Sequence, residues 1–357
     1  MSDARAGTSM NETEIQMFLR ESIPTTFSGV VSIAAPGRAI VTEAWGLAYR
    51  PEGVANTPST RFGIASGTKG FTATAVLNLA SAGYLDISAR VVDLLPGAFP
   101  HFDETITVRH LLTHTSGIPD YCDEEDDCDF EAIWRSRPVY AFESPADFAP
   151  LFSDLPAKFP PGERFGYSNS GYIVLGMILE SITRRPFHRL ITETVFDPFG
   201  MDGAGFFRPD ELPAHCALGY MPMPDGGWRS NIFAIPVVGG PDGGAYVTAR
   251  DMHNYWTHLL GSDTTNAEVR DLILDTDIPA GDPNAPETSG KAYSLGHWVS
   301  TRWDKNRFFY VTGQGPGVSF VSGFCPDDGR CFTVLANTEN GLDLTVRSVL
   351  ELIPRLG

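Results

Sequence analysis

Lysine is scarce in this chain. Of its 26 Lys+Arg residues only positions 69, 158, 291 and 305 are lysine; the rest are arginine. Arginine stays protonated, so an amine able to give up its proton must be sought at those four places. Positive charge is short overall: against 44 Asp+Glu the formal net charge is −18. That excludes general affinity for nucleic acid or an anionic membrane surface and favours solubility. No uninterrupted apolar run approaches the roughly 20 residues of a membrane span. The opening residues, Met1-Ser2-Asp3-Ala4-Arg5, lack the apolar core of a secretory signal, so a cytoplasmic chain is expected. The five cysteines, at 122, 128, 216, 325 and 331, include no Cys-x-x-Cys pair of a zinc site. Without an export signal they are expected as free thiols, although Cys325 and Cys331 flank a turn that could bring them face to face. Ser116 sits in no Gly-x-Ser-x-Gly elbow, which argues against the α/β-hydrolase pattern. His110 and His114 have no intervening Glu in metalloprotease order, so core or capping roles are expected for them, as for His253 and His258. No metal or cofactor is expected.

What the chain does contain is one serine placed three residues before one of its few lysines, Ser66-Gly67-Thr68-Lys69; the other three lysines have none there. A serine hydroxyl needs a base before it can attack a carbonyl. The helix-forming run that follows, residues 72–80, predicts a helix beginning near Ser66 and stopped by Gly83. On such a helix residues 66 and 69 share a face, with Cβ atoms about 5–6 Å apart. Ser66 would lie at the end where unpaired N–H groups can stabilise an oxyanion. For lysine to serve as base its pKa must move from about 10.4 toward 7–8, roughly 3–4 kcal/mol of differential stabilisation, which burial can supply.

Elsewhere the pattern alternates between strands and helices. Asn11 or Thr13 can cap an amphipathic helix with Ile15, Phe18 and Leu19 on one face. Residues 29–35 and 39–45 around Pro36-Gly37-Arg38 read as a hairpin. A short helix over 108–116 stopped by Gly117, and a buried helix over 170–183, mark a mainly helical middle. Residues 294–301, 307–312, 318–325 and 331–337 read as an antiparallel meander before a terminal helix over 342–353. The expected fold is α+β. One antiparallel sheet, from about 10–65 and 285–357, is flanked by helices, with a mainly helical lobe inserted over about 66–284; the whole chain is expected to form one catalytic unit. The acidic run 123–129 lacks calcium-loop spacing and reads as a solvated insert near an entrance. No repeat and no signal of oligomeric state is apparent.

Three stretches give Ser66 its context. Tyr167-Ser168-Asn169 precedes the buried helix. Leu111-Leu112-Thr113-His114-Thr115-Ser116-Gly117 is followed by Ile118-Pro119-Asp120-Tyr121. Val311-Thr312-Gly313-Gln314-Gly315-Pro316-Gly317 links two strands. Together with Gly243-Gly244-Ala245 and the residues after it, they resemble the serine β-lactamase and penicillin-recognising enzyme superfamily, in its class C-like branch of esterases, D-aminopeptidases and D-amino-acid amidases. The resemblance implies a serine hydrolase with Ser66 as acylated nucleophile, Lys69 as its amine partner and Tyr167 as second proton-transfer group. It implies that Asn169 orients Lys69 or the substrate, and that Thr312, Gly313 and the Gln314 N–H border the oxyanion. It further implies a small-molecule acyl substrate, an ester first, then a D-configured amide, then a β-lactam. Acyl transfer to a nucleophile other than water is an alternative, as is a non-catalytic binding protein on the same fold. The departure is Val311, where such relatives usually carry Lys or His. Valine offers a substrate carboxylate neither charge nor hydrogen bond, which weakens the β-lactam reading.

Overall fold

The computed structural model describes residues 10–126, 128–262, 264–280, 290–303, 306–339 and 342–356. The leader 1–9, Asp127 of the acidic run and Lys305 lie outside them. Eight strands form the main sheet: β1 Gly29–Ala34, β2 Val41–Trp45, β3 Ile278–Pro279, β4 Lys291–Tyr293, β5 Trp298–Ser300, β6 Phe308–Gly315, β7 Val318–Phe324 and β8 Cys331–Ala336. Their order is β2-β1-β8-β7-β6-β5-β4-β3, and every pairing is antiparallel. An early and a late strand therefore pair second and third from the β2 edge of the sheet, where Val30 stands opposite Leu335. The sheet already takes in Ile278–Pro279, ahead of the boundary expected near residue 285.

Alternation along the strands divides the apolar residues between two layers. Phe309, Val311, Phe320 and Leu335 face one layer, shared with the helices α2 Lys69–Ser81, α3 Asn169–Thr183 and α4 Ala249–Leu260. Phe308, Tyr310, Val321 and Val334 face the other, covered by α1 Glu12–Ser22 and α5 Leu342–Leu352 through Ile15, Leu19, Val349 and Leu352. Helix α1 starts where the sequence places it, with Asn11 and Glu14 capping each other's backbone N–H. No helix among the described residues is long and apolar enough to cross a membrane.

Four expectations are corrected. The strand expected over 294–301 is the turn and second arm of a hairpin. Gly296, at φ +88°, reverses the chain, and Ser294 N–H donates to His297 O at 2.7 Å. The short helix Val108–Leu112 ends before Gly117, because His114 itself takes a left-handed φ of 55°. Cys122 and Cys128 are not free thiols. The acidic loop folds back through a turn at Glu124–Asp126, bringing their Cα atoms to 5.4 Å, and they form a disulfide. That loop is anchored rather than merely solvated: Lys158 pairs with Asp123 at 2.7 Å and Glu125 at 3.1 Å. Cys325 and Cys331 do not meet, since Cys331 stands opposite Phe324 and the two thiols face opposite layers.

Candidate active site

Ser66 lies on a tight turn, Ala65–Thr68, that runs directly into α2. This turn is a 3₁₀ helix, in which residues three apart eclipse, so Lys69 falls in line with Ser66. Ala65 precedes the serine with φ 43°, a conformation a non-glycine residue adopts only when its surroundings enforce it. Those surroundings are residues 242–247. Tyr246–Val247 pairs with Phe62–Gly63, Gly244 N–H and the Thr68 hydroxyl both donate to Ala65 O, and Ala245 N–H donates to Thr68 Oγ1. The glycine-rich segment is thus the cradle of the serine turn.

Lys69 is 2% exposed. Its Nζ donates to Asn169 Oδ1 at 2.8 Å and to the main-chain oxygen of Asp242 at 2.7 Å, and stands 3.1 Å from Ser66 Oγ. Burial lowers its pKa, against the opposing fields of Asp242, Glu124 and Asp120. Asn169 is fixed in turn. Its Nδ2 hydrogens go to Asp120 Oδ2 and Cys122 O, both at 3.3 Å, groups that accept only, so Oδ1 must face the lysine. Asp120 also receives Asn169 N–H at 2.7 Å and Ser170 N–H at 3.0 Å, which ties the start of α3 to the site. Desolvation raises the Asp120 carboxyl to about 6 despite these donors.

Tyr167 completes the group. Its phenol interacts with Ser66, and Lys69 Nζ lies 4.9 Å from its ring centre. Desolvation, then the carboxylate of Glu124, keeps its pKa well above the usual tyrosine value, so the phenol rests protonated. His114 clamps the backbone on both sides of it. Its carbonyl accepts Gly166 N–H at 2.8 Å, its Nδ1 accepts Ser168 N–H at 3.1 Å, and the two rings lie 4.4 Å apart. The accepted bond fixes the imidazole hydrogen on Nε2, which has no partner among the described residues.

Strand β6 closes the site. Its pairing with β5 stops at Tyr310, and the remainder runs beside the serine turn. A Cβ at Gly313 would sit 2.1 Å from Ile64 O and 2.8 Å from Ser66 N, so only glycine permits this approach. The Thr312 hydroxyl donates to Phe320 O at 2.8 Å across the sheet, and the Gln314 side chain is exposed. Val311 is buried against Gly70 of α2, beside Tyr255 and His297, and faces the core.

The sequence profile of the beta-lactamase family matches residues 23–351. The chain belongs to the beta-lactamase family. Among solved structures it is similar to a penicillin binding protein from Bacillus halodurans, at 37% identity and TM-score 0.85, covering 95% of this chain and 99% of that one. It is also similar to the D-amino acid amidase from Ochrobactrum anthropi SV3, at 23% identity and TM-score 0.78 over 95% and 97% of the two chains, a likeness of fold. Among curated proteins, the putative penicillin-binding protein PbpX of Bacillus subtilis (strain 168) is 26% identical over 89% of this chain and 72% of its own length. Protein flp of Staphylococcus aureus (strain NCTC 8325 / PS 47) is 30% identical, but the match spans only 37% of that protein.

In this beta-lactamase-family chain Ser66, Lys69, Tyr167, Asn169 and Gly313 come together; Thr312 and Gln314 border them, the Thr312 hydroxyl turned to Phe320 O and the Gln314 side chain exposed. Sequence reasoning gave His114 only a core or capping role and assigned no site role to Asp120, Cys122 or Asp242. The first three lie in or beside the stretch 111–121, and the grouping of that stretch with Tyr167-Ser168-Asn169 in the family resemblance was the available signal. Asp242 acts through its main-chain oxygen, which no side-chain motif reveals.

Proposed function

We propose that the protein is a serine hydrolase acting through an acyl-enzyme on a small carboxyl ester or amide, by steps that need no metal. The observation that carries this is the set of partners around Lys69. Asn169 Oδ1 and Asp242 O can only accept, so they take two amine hydrogens. On the neutral amine that burial favours, the lone pair is then left for the Ser66 hydroxyl at 3.1 Å. In this reading Ser66 Oγ attacks the substrate carbonyl as Lys69 takes its proton. Tyr167, protonated at rest, passes a proton to the leaving group and is restored through Lys69. Water then attacks the acyl-enzyme by the reverse path and releases the acid. The main-chain N–H groups of Ser66 and Gln314 are proposed to hold the oxyanion, a reading supported by the approach of Gly313 to Ser66 N. Esters rank first because the strand carries no cation at Val311. Ser66→Ala is expected to abolish turnover of p-nitrophenyl esters with little change in melting temperature. Unchanged turnover by the folded variant would remove Ser66 from the mechanism.

A further inference from the structure

Lys291 opens strand β4, half-buried, with its Nζ 3.9 Å from the ring centre of Trp298. Trp298 is stacked on Tyr167 with ring centres 6.1 Å apart and planes at 11°. The ammonium has no hydrogen-bond or ion-pair partner among the described residues, unlike Lys158, which pairs with Asp123 and Glu125. Glu124, exposed on the disulfide-closed loop, acts electrostatically on Lys291, Tyr167 and Lys69. Cysteine 122 of that loop holds Asn169 through its carbonyl, which keeps the loop against the site.

We infer that Lys291, held over Trp298 beside Tyr167, is a subsite for a carboxylate on the acyl donor. The inference rests on the serine-hydrolase reading and narrows its substrate to anionic esters or amides. A half-desolvated ammonium without a counter-ion gains more from an incoming carboxylate than a fully solvated one, because less water must be displaced. The aromatic face restricts where the ammonium sits, so the subsite is ready before substrate arrives. Glu124 competes for the same charge and moderates the gain.

The test compares mono-p-nitrophenyl glutarate with its methyl diester, which differ in one carboxylate and react at the same bond. Lys291→Met is expected to lower kcat/KM for the half-ester about tenfold, the scale of one charge-assisted contact, and to leave the diester within about twofold. Lys291→Arg, which keeps charge and ring stacking, should retain most of the preference, and Glu124→Gln should strengthen it. Added salt should erode the preference in the wild type and not in Lys291→Met. Equal loss on both esters in Lys291→Met, or a wild type that does not favour the half-ester over its diester relative to Lys291→Met, overturns the subsite while leaving the serine hydrolase intact. Failure of both esters together with absent fluorophosphonate labelling of Ser66 overturns the underlying reading instead.

Discussion

Each polar side chain at this site is oriented by a neighbour that leaves it one arrangement. Asn169 cannot flip, because Asp120 and Cys122 O accept both of its amide hydrogens, and His114 holds the backbone on each side of Tyr167. His114 is accordingly a positioning residue. His114→Ala is expected to reduce kcat for an ester by roughly ten- to a hundredfold with KM little changed, since misplacing a reacting group by about 1 Å costs on that order. His114→Asn, whose side-chain oxygen can accept Ser168 N–H, should recover part of kcat. Parallel changes in kcat and melting temperature with no rescue by asparagine would reduce His114 to packing. Asp120 yields a pH prediction with two signs. Its carboxyl, raised to about 6 from an ordinary value near 3.8, binds a proton in the native state before the unfolded chain does. This group therefore adds stability as pH falls from about 6 toward 4 and withdraws it as pH rises through that window. Activity should move oppositely: a protonated Asp120 loses acceptor capacity toward Asn169 and Ser170, and kcat should fall below pH 6. Thermal melts and kcat measured across pH 4–8 check both signs, and a kcat flat across pH 5–7 would contradict this role.

Elements place these residues by close approach. The end of β6 lies against the serine turn through Gly313, and its Val311 packs on Gly70 at the start of α2. A cation at 311 would enter a buried layer already holding the Tyr255–His297 pair, bonded at 2.7 Å. Val311→Lys is expected to destabilise the protein by roughly 2–4 kcal/mol, read as a lower urea midpoint, because it buries an unpaired charge. A variant of full stability would show that the side chain escapes the core. The elements themselves were largely legible in the sequence. The Asn11 cap, the hairpin over 29–45, the buried helix after Tyr167 and the last strands follow from capping, turn residues and apolar period. The hairpin at Gly296 was not, because an apolar run through a buried turn has the same composition as a strand. Nor was the Cys122–Cys128 bond, which depends on the path of the acidic loop rather than on spacing.

At the scale of the whole molecule, the site is a product of long-range closure. Lys69 meets Asn169 across 100 residues and Asp242 across 173. Ser66 and Lys69 could be read as a pair because three residues separate them on one turn. The oxygen of Asp242, the clamp of His114 and the cradle of residues 242–247 needed the fold. The central claim is that a neutral Lys69 takes the proton from Ser66. It is tested most directly by the rate at which a fluorophosphonate modifies Ser66, followed by peptide mapping across pH in the wild type and in Lys69→Met. The account predicts a wild-type rate that rises with pH through one ionisation below lysine's ordinary 10.5 and then levels. In Lys69→Met that ionisation should vanish and the rate fall about a thousandfold or more, with any residual label still on Ser66. Label on another residue, or a Lys69→Met protein that keeps the wild-type rate and profile, would contradict it.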